Sequence, residues 1–238
     1  MIRVAYCIGE YPEAERRLRE ETALSYASEE VEIGILPIEA SPYQGLGPAE
    51  IQGVHPLMHK VYVRAEREGY DAVVPLGMLD LGVDGGRSLV DIPVIGPAQA
   101  ALHVAAMVGE RFGLICYEQS AIQRHRSQMK TYGMESWVVD YRTVAMPIRK
   151  MTEHRDEMTE IFLREARSLI KDQGCDVIIP HGISQCPVHI KPDWLSKELG
   201  VPVVEGIGAP IRMAALLVSL DLSQSRVRWP KSSMAKDM

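Results

Sequence analysis

A seven-residue phrase that occurs twice constrains the fold of this chain more than any other feature. Residues 71–77 are Asp-Ala-Val-Val-Pro-Leu-Gly and residues 176–182 are Asp-Val-Ile-Ile-Pro-His-Gly, so an Asp, a Pro and a Gly recur at the same spacing. Each phrase is a short apolar run that ends in glycine. This pattern is typical of a buried parallel strand that delivers a loop to the carboxyl edge of a sheet, where open α/β sheets bind ligands. We therefore expect two equivalent strand-to-loop junctions.

The residues around the phrases extend the repeat. Ile-Pro-Val-Ile at 92–95 matches Val-Pro-Val-Val at 201–204, and both segments are predicted to be short strands. Cys7 and Cys116 end the first predicted strand of each half and are expected to occupy equivalent positions. The apolar periodicity alternates strand, helix, strand, helix, strand within each half. The sequence thus predicts an α/β fold of two pseudo-symmetric parallel-sheet halves.

The repeat also predicts how the chain is divided. The first half is expected to comprise residues 1–97 plus 207–225, the second residues 98–206, and residues 226–238 a polar tail. The tail, which becomes polar from Ser223, is expected to be frayed. If the halves face each other, their loops form opposite walls of one cleft, and the Pro- and Gly-rich segment Ser41–Pro48 is a candidate lid or rim.

Composition excludes several classes of function. The 238 residues are 46% hydrophobic and 24% charged, which are globular values. A net charge of −6 without a basic cluster argues against nucleic acid as a partner. No apolar run approaches the roughly 20 residues of a membrane span, and the first residues lack the features of a signal peptide. The four cysteines have no C-x-x-C spacing and are expected to be free thiols in a cytoplasmic protein.

The order and spacing of the motifs carry a family resemblance. The first phrase, the Asp, Gly, Val, Asp and Arg that follow it, and Asp-Ile-Pro-Val-Ile-Gly at 91–96 resemble the aspartate/glutamate/hydantoin racemase superfamily. Together with Val-Pro-Val-Val-Glu-Gly at 201–206, they are most similar to its hydantoin and allantoin racemase branch. The likeness covers most of residues 3–220. It implies an enzyme that needs no cofactor, forms a homo-oligomer and acts on a small carboxylate or ureide.

The resemblance also implies a mechanism from which this chain departs. In the family, a cysteine ends the third strand of each half, and the two thiols remove and return the proton of the substrate α-carbon. Matching the strands places Gly77 and Gly182 at these positions. A decarboxylase branch of the superfamily keeps one thiol. Residues 7–10 and 118–120 also depart from the Asn-Pro-Asn-type and Thr-rich segments of the family. We therefore predict a specialised isomerase or lyase instead of a two-thiol racemase.

Three residues are candidate catalysts. His181, just before Gly182, suits a general base or a hydrogen-bond donor to an enolate, although it also suits a packing role. Asp80 follows the first phrase, and Cys186 could replace a lost thiol only if its loop folds back. Asp84, which is close to Asp80, is expected to cap the next helix.

Other residues are candidates for substrate binding. Gly77 and Gly182 would open space and expose backbone N–H groups to an anion. Ser184 could bind a carboxylate or cap a turn, and Cys7 could line the site or simply fill the core. The remaining candidates lie at the carboxyl ends of predicted strands or just beyond: Glu118, Ser120 and Glu205.

No metal is predicted. His55 and His59 have the i, i+4 spacing of a ligand pair, but no nearby carboxylate completes a site, so a surface pair is expected. Two alternatives to an isomerase or lyase remain open at this point. The chain could be a non-catalytic protein that binds a small acid, or a hydrolase with Ser184 or Cys186 as nucleophile.

Overall fold

The computed structural model of the chain describes residues 1–9, 11–39, 47–236 and 238. The chain forms two compact units, Met1–Pro97 with Pro210–Met238 and Ala98–Ala209. Residues 41–46 of the candidate lid, and Glu10, lie outside the described residues. No helix within the described ranges is long and apolar enough to cross a membrane.

Strands and helices alternate along the chain. The strands are β1 (Ile2–Ile8), β2 (Val31–Pro37), β3 (Ala72–Pro75), β4 (Phe112–Cys116), β5 (Val138–Thr143) and β6 (Val177–Pro180). The α-helices are α1 (Glu13–Leu24), α2 (Pro48–Arg67), α3 (Val83–Leu89), α4 (Pro97–Ala105), α5 (Ile122–Thr131), α6 (Arg155–Gln173), α7 (Pro192–Leu199) and α8 (Gly208–Ser219). Single turns of 3₁₀-helix lie at Gln119–Ala121, Glu135–Trp137, Ile148–Lys150 and Ser233–Lys236, and Ser184–His189 is a π-helical turn.

Each unit is built on a three-stranded parallel sheet of the same topology. β1 lies between β2 and β3 in the first unit, and β4 lies between β5 and β6 in the second. The strands β3 and β6, which belong to the repeated phrases, are buried along their whole length, as apolar strands of parallel sheets usually are. Tyr62 of α2 belongs to the core of the first unit and Phe162 of α6 to that of the second. The predicted α/β class with two halves of equal topology is confirmed.

The strand register corrects one predicted equivalence. Cys7 lies opposite Pro75, whereas Ile115 lies opposite Pro180. Because the two prolines hold the same place in the repeated phrase, the counterpart of Cys7 is Ile115. The prediction that Cys7 and Cys116 are equivalent is therefore wrong by one residue. A shift of one residue along a strand turns the side chain to the other face of the sheet, so these two cysteines face different environments.

The two predicted short strands are each reduced to a single bridge. Val94 bridges Val73 in the first unit, and Val203 bridges Ile178 in the second. A proline precedes each bridging valine. Since proline has no N–H to donate to a ladder, pairing does not extend in that direction.

The C-terminal residues dock onto the first unit. Nε2 of Gln224 donates to the carbonyls of Val90 (2.8 Å) and Ile92 (2.9 Å), and Nη1 of Arg226 donates to the carbonyl of Arg87 (2.8 Å). The prediction of a frayed tail is wrong, because its polar side chains find backbone carbonyls at the end of α3 as partners.

Candidate functional site

The two glycines that end the repeated phrases differ in backbone and surroundings. Gly77 has a φ of +89°, a conformation that L side chains rarely adopt. Apart from its two chain neighbours, no described residue lies within 4 Å of the position that a Cβ would take at Gly77. Gly182 lies outside this left-handed region, and its surroundings are filled. The two positions are related in sequence but are not equivalent in structure.

The ring of Tyr117 fills the space beside Gly182. A Cβ at residue 182 would overlap Cε1 of that ring and would lie 2.5 Å from Cζ and 2.9 Å from Cδ1. Cζ carries the phenolic hydroxyl, so the hydroxyl end of the ring lies beside Gly182. Glycine here therefore leaves room for a side chain that comes from the end of β4. Tyr117 was not among the residues predicted from the sequence.

The backbone around Tyr117 is held on two sides. The N–H of Met146 donates to the carbonyl of Tyr117 (3.2 Å), and Nε2 of Gln185 donates to the carbonyl of Cys116 (2.9 Å). Gln185 belongs to the π-helical turn that follows β6, so it joins the loop after β6 to the end of β4. The ring itself packs against the hydrophobic cluster of the second unit. These contacts hold the backbone of Tyr117 and one side of its ring.

The position of the first unit that matches Tyr117 is occupied by glycine. By strand register, Gly9 corresponds to Tyr117. A Cβ at Gly9 would meet only Ile38 and Tyr11, both at the ordinary contact distance of 3.8 Å. The first unit thus has two glycines, Gly9 and Gly77, where the second has Tyr117 and Gly182. In the second unit the tyrosine ring covers the glycine.

Charged residues surround Tyr117 at the carboxyl edge of β4. Burial lowers the pKa of Arg124. That pKa is raised in turn by three neighbours in their ionised, negatively charged forms: Cys116, Glu118 and Tyr117. Arg124 is therefore within electrostatic reach of all three. Glu118 is exposed, and Ser120 donates to it at 3.4 Å.

Asp80 lies in the loop between β3 and α3 and is only 8% exposed. Its φ is +51°, in the left-handed region where Asp is more frequent than most other residues. The Asp80 carboxylate lies against Gly96, where a Cβ would be 2.5 Å from Oδ2 and 2.7 Å from Cγ. Gly96 therefore leaves the room that this carboxylate occupies.

Helix α2 supports the same loop. The Tyr62 hydroxyl donates to the carbonyl of Leu81, and Nε2 of His59 lies 3.0 Å from the carbonyl oxygen of Gly82. Burial raises the pKa of Tyr62 well above its ordinary value and lowers that of His59. His59 is thus a partly buried contact of the loop and not a free surface residue.

Asp84 does not cap α3. The helix begins at Val83, and Gly82 occupies the N-cap position. The Asp84 carboxylate accepts a hydrogen bond from Nε1 of Trp229 (2.7 Å) and lies 3.7 Å from Arg228. The capping prediction is wrong, because Asp84 lies within the first turn and its side chain contacts the C-terminal segment.

His181 lies beneath α5. It is fully buried, its ring meets His125 edge to face at 4.1 Å between centroids, and its Nε2 lies 3.1 Å from Oε1 of Gln128. Burial, with smaller effects from the charges of His125 and Arg124, holds the pKa of His181 well below its ordinary value. The geometry is that of a neutral, packed histidine, and its catalytic role stays a prediction.

The candidate nucleophiles of the second unit are buried. Cys186 is fully buried within the hydrophobic cluster, and burial raises its pKa well above the ordinary value, with a further contribution from Glu205. Ser184 opens the π-helical turn and is 2% exposed. This placement does not favour hydrolysis, since a nucleophile must reach its substrate.

Glu205 has a structural partner. Its carboxylate accepts hydrogen bonds from the N–H groups of Ile207 (2.6 Å) and Gly208 (2.8 Å). Gly208 is the first residue of α8, so the carboxylate satisfies backbone donors at a helix N-terminus. A binding role for Glu205 stays a prediction.

The remaining cysteines are also buried. Burial raises the pKa of Cys7, raises that of Cys116 to about 12 and raises that of Cys175 to about 11. A thiol in such surroundings is protonated at neutral pH and is a poor base or nucleophile. All four cysteines lie among the described residues, and their burial does not favour any of them as a substitute for the thiol pair expected from the family resemblance.

No metal centre is formed by the part of the chain that the structure describes. Within it, no group of three or more His, Cys, Asp and Glu residues could hold an ion.

Comparisons with known proteins agree with this architecture. The family model described as Asp/Glu/Hydantoin racemase matches residues 14–214. A hydantoin racemase from Pseudomonas sp. (strain NS671) is 25% identical over 198 residues, covering 81% of this chain and 78% of the relative. An allantoin racemase from Klebsiella pneumoniae has a TM-score of 0.89 at 21% identity, covering 98% and 94%. A crystal structure of arylmalonate decarboxylase has a TM-score of 0.63 at 15% identity, covering 91% and 92%. The chain belongs to the Asp/Glu/hydantoin racemase family.

Proposed function

We propose that the protein is a cofactor-independent isomerase or lyase. It acts beside a carbonyl of a small carboxylic acid, amino-acid derivative or cyclic ureide, through an enolate-like intermediate. The observation that carries the proposal is the pair Gly77 and Gly182, which stand where the family resemblance places the two thiols, in a chain that belongs to the family. The substrate class is taken from relatives named as hydantoin and allantoin racemases.

The chemistry favours a route without paired thiols. Racemisation by two groups needs one proton-transfer residue on each face of the α-carbon. Each buried cysteine has a raised pKa, and the first unit has glycine at both matched positions. A reaction that needs proton transfer at one face only, such as decarboxylation followed by protonation, suits this asymmetry better than racemisation.

A substrate panel in deuterated water tests the proposal. The panel contains 5-monosubstituted hydantoins, allantoin, arylmalonates and free amino acids, and the measurements are α-deuteration by NMR, optical rotation and release of CO₂. We expect turnover of at least one class. Thermal stabilisation by a panel acid with no deuteration, epimerisation or CO₂ release would instead favour a non-catalytic binding protein.

Two aspartates of the same segment supply a matched pair of variants. Asp80 is buried in the loop after Gly77, whereas Asp84 is exposed and contacts Trp229. We expect Asp80→Asn to lower kcat by a factor of roughly ten or more, and Asp84→Asn to change it little. Equal effects of the two changes would argue against a site at this loop.

A further inference from the structure

We propose that the phenolic hydroxyl of Tyr117 is the proton-transfer group of the second unit. This inference rests on the proposed function, because it names the reagent of that same reaction. Its basis is the position of the Tyr117 ring, which occupies the volume that any side chain at Gly182 would need.

The hydroxyl of Tyr117 is bonded to a ring atom that lies beside Gly182. The two ring atoms nearest to a Cβ at Gly182 are Cε1 and Cζ, and Cζ is bonded to the hydroxyl oxygen. A thiol at residue 182 would begin from that same Cβ. The phenol therefore brings its ring, and with it the O–H group on Cζ, beside the position from which the family thiol would extend. Phenols serve as general acids and bases in enzymes.

Tyr117 is anchored both through its backbone and through its ring. The carbonyls of Cys116 and Tyr117 are both held by hydrogen bonds, and the ring packs on the hydrophobic cluster of the second unit. Tyr117 is nevertheless only partly buried. An anchored ring with a polar end is the arrangement that a proton-transfer group requires, since its reach depends on pre-set geometry.

The positive charge of Arg124 acts on the Tyr117 phenol. Arg124 interacts electrostatically with Tyr117, and a guanidinium close to a phenol favours the ionised phenol. The same cation would favour negative charge that develops on a substrate enolate. Glu118, which is exposed next to Tyr117, also interacts with Arg124, so the positive charge of Arg124 acts on both residues.

The proton-transfer step is balanced as follows. The phenolate oxygen of Tyr117 forms an O–H bond with the α-proton, the Cα–H bond breaks, and its electron pair enters the enolate. In the reverse direction, the Tyr117 O–H bond breaks, and the enolate carbon takes the proton. After loss of CO₂ from a malonate-type acid, the electron pair of the broken C–C bond forms the enolate, and Tyr117 then supplies the proton.

Tyr117 lies far in sequence from the position that the family motif indicates. The family thiol is sought at Gly182, after β6, but this ring arrives from the end of β4. The first unit has Gly9 at the corresponding position, so the phenol has no internal repeat to reveal it.

Tyr117→Phe tests the inference with the panel compound that the wild-type protein turns over fastest. The change keeps the ring and removes the hydroxyl. We expect kcat to fall by a factor of about 10²–10⁴ with KM nearly unchanged, which is the usual effect of losing a general acid or base. Tyr132→Phe, a tyrosine at the end of α5 in the same unit, is the control and should retain full activity.

The outcomes separate the two proposals. A fall in kcat of less than tenfold in folded Tyr117→Phe would overturn the role of Tyr117 and leave the proposed function intact. A wild-type protein that turns over nothing in the panel would overturn both. Gly182→Ala is a second variant that keeps the hydroxyl but displaces the ring. Full activity of Gly182→Ala would also overturn the inference.

Discussion

Alanine substitutions at the two matched glycines should be destabilising for different physical reasons. At Gly182 the backbone tolerates a side chain, but the added Cβ overlaps the Tyr117 ring. Overpacking of this kind costs about 1–3 kcal/mol. Because the overlapping atoms belong to a partly buried side chain and not to the backbone, a small shift of the ring relieves the overlap, and we expect Gly182→Ala to lie near the lower end, at about 1 kcal/mol.

At Gly77 the reason is backbone strain. No described residue would meet a Cβ there, but the φ of +89° is unfavourable for alanine. Holding an L residue in such a conformation costs about 1–2 kcal/mol. The cost of Gly77→Ala should therefore not depend on any single neighbouring side chain.

A double-mutant cycle distinguishes the two causes. The free energy of unfolding is measured by urea denaturation for both alanine variants, in the wild type and in a Tyr117→Ala background. We expect the cost of Gly182→Ala to fall close to zero without the ring, a coupling of about 1 kcal/mol, and the cost of Gly77→Ala to stay constant. An equal cost of Gly182→Ala in both backgrounds would refute the placement of Tyr117.

Three further predictions concern other parts of the chain. The folded state holds the pKa of buried His125 at about 4, below its unfolded value. The contribution of His125 to stability should therefore be fully present above about pH 6.5 and fall by roughly 3 kcal/mol toward pH 4. This loss should shrink in His125→Gln but not in exposed His103→Gln, as urea denaturation at several pH values would show. Glu205→Ala removes acceptors for two N–H groups at the start of α8 and should lower the free energy of unfolding by about 1–2 kcal/mol; an unchanged urea midpoint would contradict the capping role. Arg226→Ala should speed proteolysis of the C-terminal residues, whereas an unchanged rate relative to Arg228→Ala would show that the bonds of Arg226 do not hold the segment.

The site illustrates where prediction from a single sequence succeeds and fails. The repeated phrase correctly indicated two buried strands that end in glycine loops, because apolar runs and glycines are local features. The equivalence of Cys7 and Cys116 failed by one residue, since register depends on pairing between strands that are far apart in sequence. The predictions that Asp84 caps a helix and that the C-terminal residues are frayed were wrong for the same reason, because these residues bond to segments far away in sequence.

The sequence by itself determined the fold class and the duplication, because these depend on residue order and spacing alone, and it led to the prediction that glycines replace both family thiols. Only the tertiary structure decided what stands beside the two glycines. Gly77 faces open space among the described residues, and Gly182 is covered by a ring from another strand. The physical reason is that a glycine has no side chain, so the contents of its vacant volume depend on which other parts of the chain the fold brings there.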